Sequence, residues 1–286
     1  MQQALETYIG DVLPSPTVCR DHSWLRGKSA VLEVRDLAGE TWFVKQHRET
    51  RWYRSEVAAY RRWVPALGDR APTLRAFDDG LRVLVLSAVG GREPDWLDPA
   101  VQHGAGSLLR RLHDADQPQP WPDMVGEKLG QFDQWETRAA GMLSSAELAF
   151  VRSELRALDD VPVPLRVACH LDFSPRNWLM TDRGLVVIDF EEAGPEAWCN
   201  DLGRLFFGWW RDPLAAGRPP RRGPDLQDAF LDGYGRPLAD DDLCVLWASY
   251  GLALVRFLPL ARRLGQSAHE VALRGVLDGL MGGEFG

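Results

Sequence analysis

The segment His170-Leu171-Asp172-Phe173-Ser174-Pro175-Arg176-Asn177 and its sequel constrain the fold more tightly than any other stretch of this chain. A polar, turn-forming run leads straight into two short apolar segments, 178–180 and 185–188, separated by Thr181-Asp182-Arg183-Gly184. Apolar runs this short around such a turn read as a β-hairpin, not as a helix. Asp189 follows the second run, twelve residues after Asn177, so a further carboxylate stands directly behind the hairpin.

The rest of the chain sorts around that hairpin. Segments 31–34 and 41–46 are β-type and are joined by a Leu37-Ala38-Gly39 turn region, which reads as a second hairpin. In 55–63, Val57, Tyr60 and Trp63 recur at helical spacing and Ser55 is placed to cap the start. Residues 82–86 form a nearly continuous apolar strand, Gly90-Gly91 interrupts the chain, and Asp98-Pro99 opens a helix over 99–113. A further helix over 144–158 starts with Ser144 and Glu147 at capping-box spacing. Helical patterns recur at 201–210, 225–234, 240–263 and 269–281, with a Pro, Gly and Arg-rich loop at 213–224. The expected organisation is α+β: a small β-rich lobe over 1–91 and a larger, mostly helical lobe over 92–286.

Composition narrows the function. A chain of 286 residues with 45% hydrophobic content can bury a substantial core. Its net charge of −8 argues against broad contact with nucleic-acid backbones and favours cationic or neutral substrates. The four cysteines are far apart with no CxxC pair, which points to reduced, mostly buried thiols. The longest apolar stretches, 81–91 and 252–260, are too short or too interrupted for a bilayer span, and residues 1–10 lack signal-peptide character; a cytoplasmic protein without membrane contact is expected.

The decisive pattern is chemical. His170, Asp172 and Asn177 have the H-x-D-x-x-x-x-N spacing of kinase catalytic loops. Phosphoryl transfer depends on positioning and charge stabilisation: one carboxylate orients the attacking hydroxyl, and another, with a neutral oxygen donor, holds Mg²⁺. Asp172, Asp189 and Asn177 supply that inventory. Upstream, Lys45 closes a strand and Glu56 follows eleven residues later on a helix, an arrangement suited to a phosphate-binding lysine braced by a glutamate.

This ordered set resembles the aminoglycoside phosphotransferase and choline kinase group, a small-molecule branch of the protein-kinase-like fold, and the likeness extends through Leu84 to Leu86 and Asp201-Leu202 over most of the chain. The resemblance implies a bilobal α+β fold. It makes Asp172 the catalytic base or hydroxyl-orienting residue, Asn177 and Asp189 the Mg²⁺ ligands, Lys45 the contact to the α- and β-phosphates, and Glu56 the residue that positions it. It places the Ser87 carbonyl and Val89 amide against the purine base of ATP or GTP, makes His170 a brace of the loop, and has Asp201 cap a helix and anchor that loop.

Two departures stand out. Leu171 occupies the middle of a motif that in many relatives reads HGD, and no G-x-G-x-x-G is present, only Ser23-Trp24-Leu25-Arg26-Gly27-Lys28-Ser29, where Lys28 and Ser29 either touch phosphate or belong to a plain turn. Glu191 and Glu192, directly after the metal segment, either tune the site, meet a cationic substrate or are exposed loop charges. The expected acceptor is a small-molecule hydroxyl, on an aminoglycoside or other antibiotic, with a choline-like alcohol or a sugar as the alternative. Carboxylates for a cationic acceptor are Asp240-Asp241-Asp242, Glu270 and Glu284; Trp198, Trp209 and Trp210 either line the pocket or pack the core. A nucleotide-binding pseudokinase is disfavoured by the complete set of Lys45, Asp172, Asn177 and Asp189. A metallohydrolase using His170, Asp172 and Asp189 leaves Lys45 and Glu56 without a role.

Overall fold

Val83-Leu84-Val85-Leu86 has no polar position, and such a strand needs both faces covered and both edges paired. A computed structural model, which describes residues 2–23, 27–217 and 224–283, meets both needs. Helix α1 (Gln2–Val12) is followed by β1 (Thr17–Asp21), β2 (Ser29–Arg35), β3 (Thr41–His47), α2 (Thr50–Arg62), β4 (Leu74–Asp78) and β5 (Val83–Ser87). The strands form one antiparallel sheet in the order β1-β2-β3-β5-β4. Val83 and Val85 share a core with Val34, Val44 and, from α1, Ile9 and Leu13. Leu84 and Leu86, on the opposite face by the two-residue period, are buried as well.

Helix α2 begins a turn earlier than its sequence suggests. Glu49 is the residue before its first turn, and Ser55 lies within the helix instead of capping it. The reason is the apolar stripe: Trp52 and Tyr53 are buried together with Glu56, Val57 and Tyr60, which extends the packed face toward the N-terminus.

The chain continues through α3 (Pro99–His113), β6 (Gln119–Pro120), α4 (Met124–Ala139), α5 (Ser145–Ala157) and β7 (Leu165–Cys169). Asp98 caps α3 by accepting from the Ala100 amide at 2.9 Å, and Ser144 and Glu147 form the reciprocal capping box of α5. The hairpin of β8 (Trp178–Thr181) and β9 (Gly184–Val187) pairs Trp178 with Val187. After it come β10 (Gly194–Ala197), α6 (Asn200–Ala215), α7 (Pro224–Tyr234), α8 (Asp240–Arg263) and α9 (Ser267–Met281). β10, β7 and β6 form a small sheet.

These elements divide into two units: Met1–Asp95 with Pro175–Gly194, and Trp96–Ser174 with Pro195–Gly286. The division is thus not a single cut at Gly91. The β8–β9 hairpin joins the first unit because Met180 exchanges backbone hydrogen bonds with Arg92, at 2.8 and 3.0 Å, and Arg70 reaches the Leu185 carbonyl. Helix α6 runs on to Ala215, into the segment expected to be loop from 213; residues 218–223 of that segment lie outside the described residues. Cys169 and Cys199 are buried, whereas Cys19 and Cys244 are exposed, against the expectation of mostly buried thiols. Helix α8 is continuous over 24 residues and long and apolar enough to cross a bilayer, because its polar interruptions are few; 56% of its most apolar window is buried inside the protein.

Helices α3 and α7 approach closely because of two glycines. A Cβ on Gly106 would stand 2.0 Å from the Phe230 carbonyl oxygen, and one on Gly233 2.0 Å from that of His103, whereas a Cβ on Gly104 would meet nothing within 4 Å. Glycine inside a helix normally costs ~1 kcal/mol relative to alanine. Gly104→Ala should therefore raise the melting temperature slightly, and Gly106→Ala should lower it by several degrees or more. Thermal melts of the two variants check this opposition of sign.

Candidate active site

In the first unit the site grows from the register of β3. Lys45 pairs with Leu84 of β5 and Val31 of β2, so its stem is enclosed and the residue is 7% exposed. Its ammonium lies 3.0 Å from Glu56, 2.6 Å from Asp189 and 3.1 Å from Glu191. Burial alone disfavours a charged lysine, but the three carboxylates outweigh it and hold the Lys45 pKa well above the usual lysine range. Glu56 is fully buried and shared: its second donor is His47 Nε2 at 2.6 Å. His47 follows Lys45 by two residues, so both point to the same face of β3. That period was the signal for His47, which has no place in the catalytic-loop pattern.

The hairpin brings the remaining residues of this unit to one level. Ile188 donates its amide to the Asn177 carbonyl at 3.0 Å, so Asn177 stands beside the residue that precedes Asp189. Asp189 has φ +68°, a left-handed conformation that costs energy for a non-glycine residue and concentrates at functional sites. Phe190 is buried edge-on against Tyr60 of α2, with ring centroids 5.4 Å apart. Glu191 and Glu192 are not solvated charges: both pair with Lys28, at 3.2 and 2.5 Å, and the Lys28 ammonium lies 4.0 Å above the Trp52 ring. Lys28, one of the two residues expected to touch phosphate, is thus occupied by carboxylates; Trp24, Leu25 and Arg26 of the same stretch lie outside the described residues.

Ser87 and Val89 border a recess of about 760 Å³ that Thr73, Arg92, Thr181 and Arg183 also line. Ser87 is fixed there by Thr73, whose amide donates to its Oγ and whose carbonyl accepts from its amide, both at 2.9 Å. The Ala88 amide is taken by Thr41, and among the described residues the Val89 amide has no backbone acceptor. Neither Lys45 nor Asp189 lines this recess.

In the second unit β7 delivers His170, Leu171 and Asp172. The anchor is Asp201, in the first turn of α6 and fully buried. It accepts from the amides of His170 (2.8 Å) and Leu171 and from His113 Nε2 at 2.9 Å. With Nε2 donating, His113 Nδ1 is an acceptor, matched by the Tyr234 hydroxyl at 2.8 Å. Burial pushes the Tyr234 phenol far up, which keeps it a donor. His170 braces the loop by accepting the Asp172 amide at Nδ1 (3.3 Å). His113, Cys169 and Asp201 lie close enough to hold a metal, but both His113 nitrogens are engaged and burial pushes the Cys169 thiol up, away from the thiolate a metal requires. Asp172 is 5% exposed, with Arg204 Nε 3.6 Å from its Oδ1. The signal for Arg204 was its place one helical turn after Asp201.

Leu171 has φ +60°, the conformation that favours glycine, and this accounts physically for a glycine at the middle of the H-x-D motif in related sequences. The left-handed cost is ~1–2 kcal/mol for a side-chain residue, and β-branching makes it worse. Leu171→Gly should therefore fold with a melting temperature within a few degrees of the parent, and Leu171→Val should melt clearly lower. Equal melting of the two variants would show that the backbone at 171 is not what limits the choice of residue.

Comparison with known proteins gives the family and the fold. The sequence profile of the phosphotransferase enzyme family matches residues 26–244. No curated protein matches the sequence. Among solved structures, the chain is similar to the aminoglycoside phosphotransferase APH(4)-Ia, with 17% identity, 98% of each chain covered and a TM-score of 0.71. It is similar to a choline/ethanolamine kinase family protein from Mesorhizobium loti at 17% identity, covering 98% of this chain and 95% of that one, with a TM-score of 0.70. For the macrolide 2'-phosphotransferase MphH from Brachybacterium faecium the identity is 16%, the coverage 96% and 97%, and the TM-score 0.64. The fold is protein-kinase-like, and the chain belongs to the phosphotransferase enzyme family as a small-molecule phosphotransferase.

Proposed function

We propose that the protein transfers the γ-phosphate of ATP or GTP to a hydroxyl of an antibiotic or related natural product, in a magnesium-dependent reaction in the cytoplasm that protects the cell. The carrying observation is the buried Lys45 ammonium held between Glu56 and Asp189. That arrangement fixes a cation where phosphate oxygens are to be gripped and keeps a carboxylate beside it. Solved structures of the same fold include an amicoumacin kinase with AMP-PNP and an aminoglycoside phosphotransferase with ADP and hygromycin B, which supports a nucleotide donor and an antibiotic-type acceptor. A metabolite alcohol is the second reading, supported by the likeness to the choline/ethanolamine kinase family protein.

Asn177 and Asp189 offer an amide oxygen and a carboxylate, the hard donors Mg²⁺ prefers, and in this reading they hold it. When bound, that ion neutralises charge on the β- and γ-phosphates. The remaining work belongs to the chain. Lys45 grips the α- and β-phosphates and Glu56 keeps it aimed, with His47 holding the other side of Glu56. The Ser87 carbonyl and Val89 amide meet the purine edge. Asp172 accepts a hydrogen bond from the acceptor hydroxyl, aligns it for in-line attack and takes its proton as the new P–O bond forms.

Asp172→Ala should lower kcat by ~10²-fold or more with little change in nucleotide affinity. A variant retaining more than about a tenth of the parental kcat would remove Asp172 from this role. Asp189→Ala should lose magnesium-dependent nucleotide binding along with turnover, and a binding titration with unchanged Mg²⁺ dependence would sink the metal assignment.

Lys45 and Glu56 supply a test that separates an enzyme from a pseudokinase. Each single alanine variant should reduce kcat/KM, and the double variant should lose clearly less than the sum of the two, because removal of either partner already disables the other. Additive losses would show that Glu56 does not act through Lys45. Unchanged turnover in all three variants would overturn the kinase reading.

A further inference from the structure

The outer face of α2 carries charge of one sign. Glu56 is the only acid of this helix and is buried, whereas its exposed charged residues, Arg51, Arg54, Arg61 and Arg62, are all arginines. Ordinary reasons for a surface arginine account for three of them. Arg51 pairs with Glu49 at 2.9 Å, and Arg61 and Arg62 stand in the last turn, where cations offset the helix dipole. Arg54 has neither reason: its side chain makes no hydrogen bond, ion pair or ring contact among the described residues.

Arg54 and Arg61 border one recess of about 480 Å³, walled also by Tyr53, Val57, Ala58 and Asp79 and reached by Arg62. All of these residues belong to the first unit. Positions 54, 58 and 61 share a helix face, so the two arginines start ~10 Å apart along the axis with only the methyl of Ala58 between them. Arginine side chains are long enough for both to meet one ligand above that methyl. The Arg61 guanidinium lies 5.5 Å from the centre of the Phe77 ring and has no other side-chain partner among the described residues. A guanidinium resting on a ring keeps its N–H donors for a ligand at the rim. Tyr53 and Val57 are buried and give the recess an apolar floor. Its one carboxylate, Asp79, is engaged, accepting from the Tyr53 hydroxyl at 2.8 Å; burial and that hydrogen bond push the phenol up and keep it the donor. Two guanidiniums without a carboxylate partner thus face one satisfied carboxylate, a local positive charge in a chain of net charge −8.

We propose that this recess is an anion site in its own right, which holds the phosphate of a small organic phosphate between Arg54 and Arg61 and seats its apolar body on Tyr53, Val57 and Ala58. A phosphate monoester carries close to two negative charges at neutral pH and matches two guanidiniums, whereas a carboxylate carries one. The volume suits a small ligand. Lys45, enclosed by Glu56, Asp189 and Glu191, takes no part.

The test is a calorimetric titration of the full chain, at constant ionic strength, with phenyl phosphate, inorganic phosphate, benzoate and benzyl alcohol. The parent is compared with Arg54→Gln, Arg61→Gln and Arg51→Gln. Glutamine is about as good a helix former as arginine, and thermal melts without ligand verify folding. Arg51→Gln is the control, the same charge change on the same helix outside the recess. Phenyl phosphate should bind about tenfold or more tighter than benzoate, and also tighter than inorganic phosphate and benzyl alcohol. Arg54→Gln and Arg61→Gln should each weaken it by about tenfold, and Arg51→Gln by less than about twofold. Phenyl phosphate binding that is undetectable at ~10 mM, survives both recess variants or falls equally in Arg51→Gln would overturn the proposal, the last because it reports bulk charge and not a site. Benzyl alcohol or inorganic phosphate binding as tightly as phenyl phosphate would overturn it too. Phosphatidylglycerol vesicles test a lipid headgroup as the phosphate source. Co-sedimentation with them, lost in Arg54→Gln and absent with phosphatidylcholine, would overturn the assignment to a small ligand.

Discussion

The buried carboxylate of Glu56 organises the first unit. Removing an ionised group from water costs several kcal/mol unless the protein replaces its hydration with donors and opposite charge. Glu56 has both, with Lys45 on one side and His47 Nε2 on the other. Lys45 brings its own requirement, which Asp189 and Glu191 meet from a segment more than 140 residues further along the chain. Helix α2, strand β3 and the segment after β9 are consequently tied through a few atoms, and for that reason residues 175–194 belong with the sheet and not with their sequence neighbours. Such a network is not a source of stability compared with apolar packing of equal volume; its use is to fix where a charge sits.

Asp201 plays the corresponding part in the second unit, but its donors are mostly backbone. Two successive amides and His113 converge on it, so the turn after β7 is held from outside by the first turn of α6. This external hold is what allows a leucine to persist at φ +60°. The Tyr234 hydroxyl fixes the tautomer of His113, and Tyr234 itself stacks on Trp198 at 4.7 Å, which assigns that tryptophan to packing.

How much of this was legible follows from the range of each interaction. The two hairpins were readable because turn chemistry and alternation lie within about ten residues. Helices α3, α5 and α8 were readable from caps and period. Helix α4 escaped because Gly126 and Gly130 weaken its pattern, and α1 because Gln2 and Gln3 give no apolar start. Of the residues singled out by spacing, Lys45 and Glu56 form the expected pair. His113 and its partners could not be singled out, since His113 meets Asp201 across 88 residues and Tyr234 across 121, and nothing local marks a histidine on a helix as a buried relay. The charges of Glu191 and Glu192 were ambiguous for the same reason: only the fold shows that Lys28 and Lys45 await them.

The sharpest divergence between sequence and structure concerns charge. A net charge of −8 suggests a protein that attracts cations, yet bulk charge and local potential are separate quantities. Exposed charges several Debye lengths apart, each ~8 Å at physiological salt, act through solvent and their influence is largely screened. A guanidinium ~4 Å from a carboxylate in a partly enclosed site acts at an effective dielectric of ~20, which amounts to ~4 kcal/mol before desolvation. Arg204, at 20% side-chain exposure, is in the second situation with respect to Asp172, 3.6 Å away. Its position cannot be chosen independently of the catalytic loop, because the helical turn that carries it begins with the carboxylate that anchors that loop. Rotation of α6 that moved Arg204 away from Asp172 would withdraw Asp201 from the His170 and Leu171 amides. The contact of Arg204 with Asp172 and the geometry of the loop are therefore set by one turn of one helix.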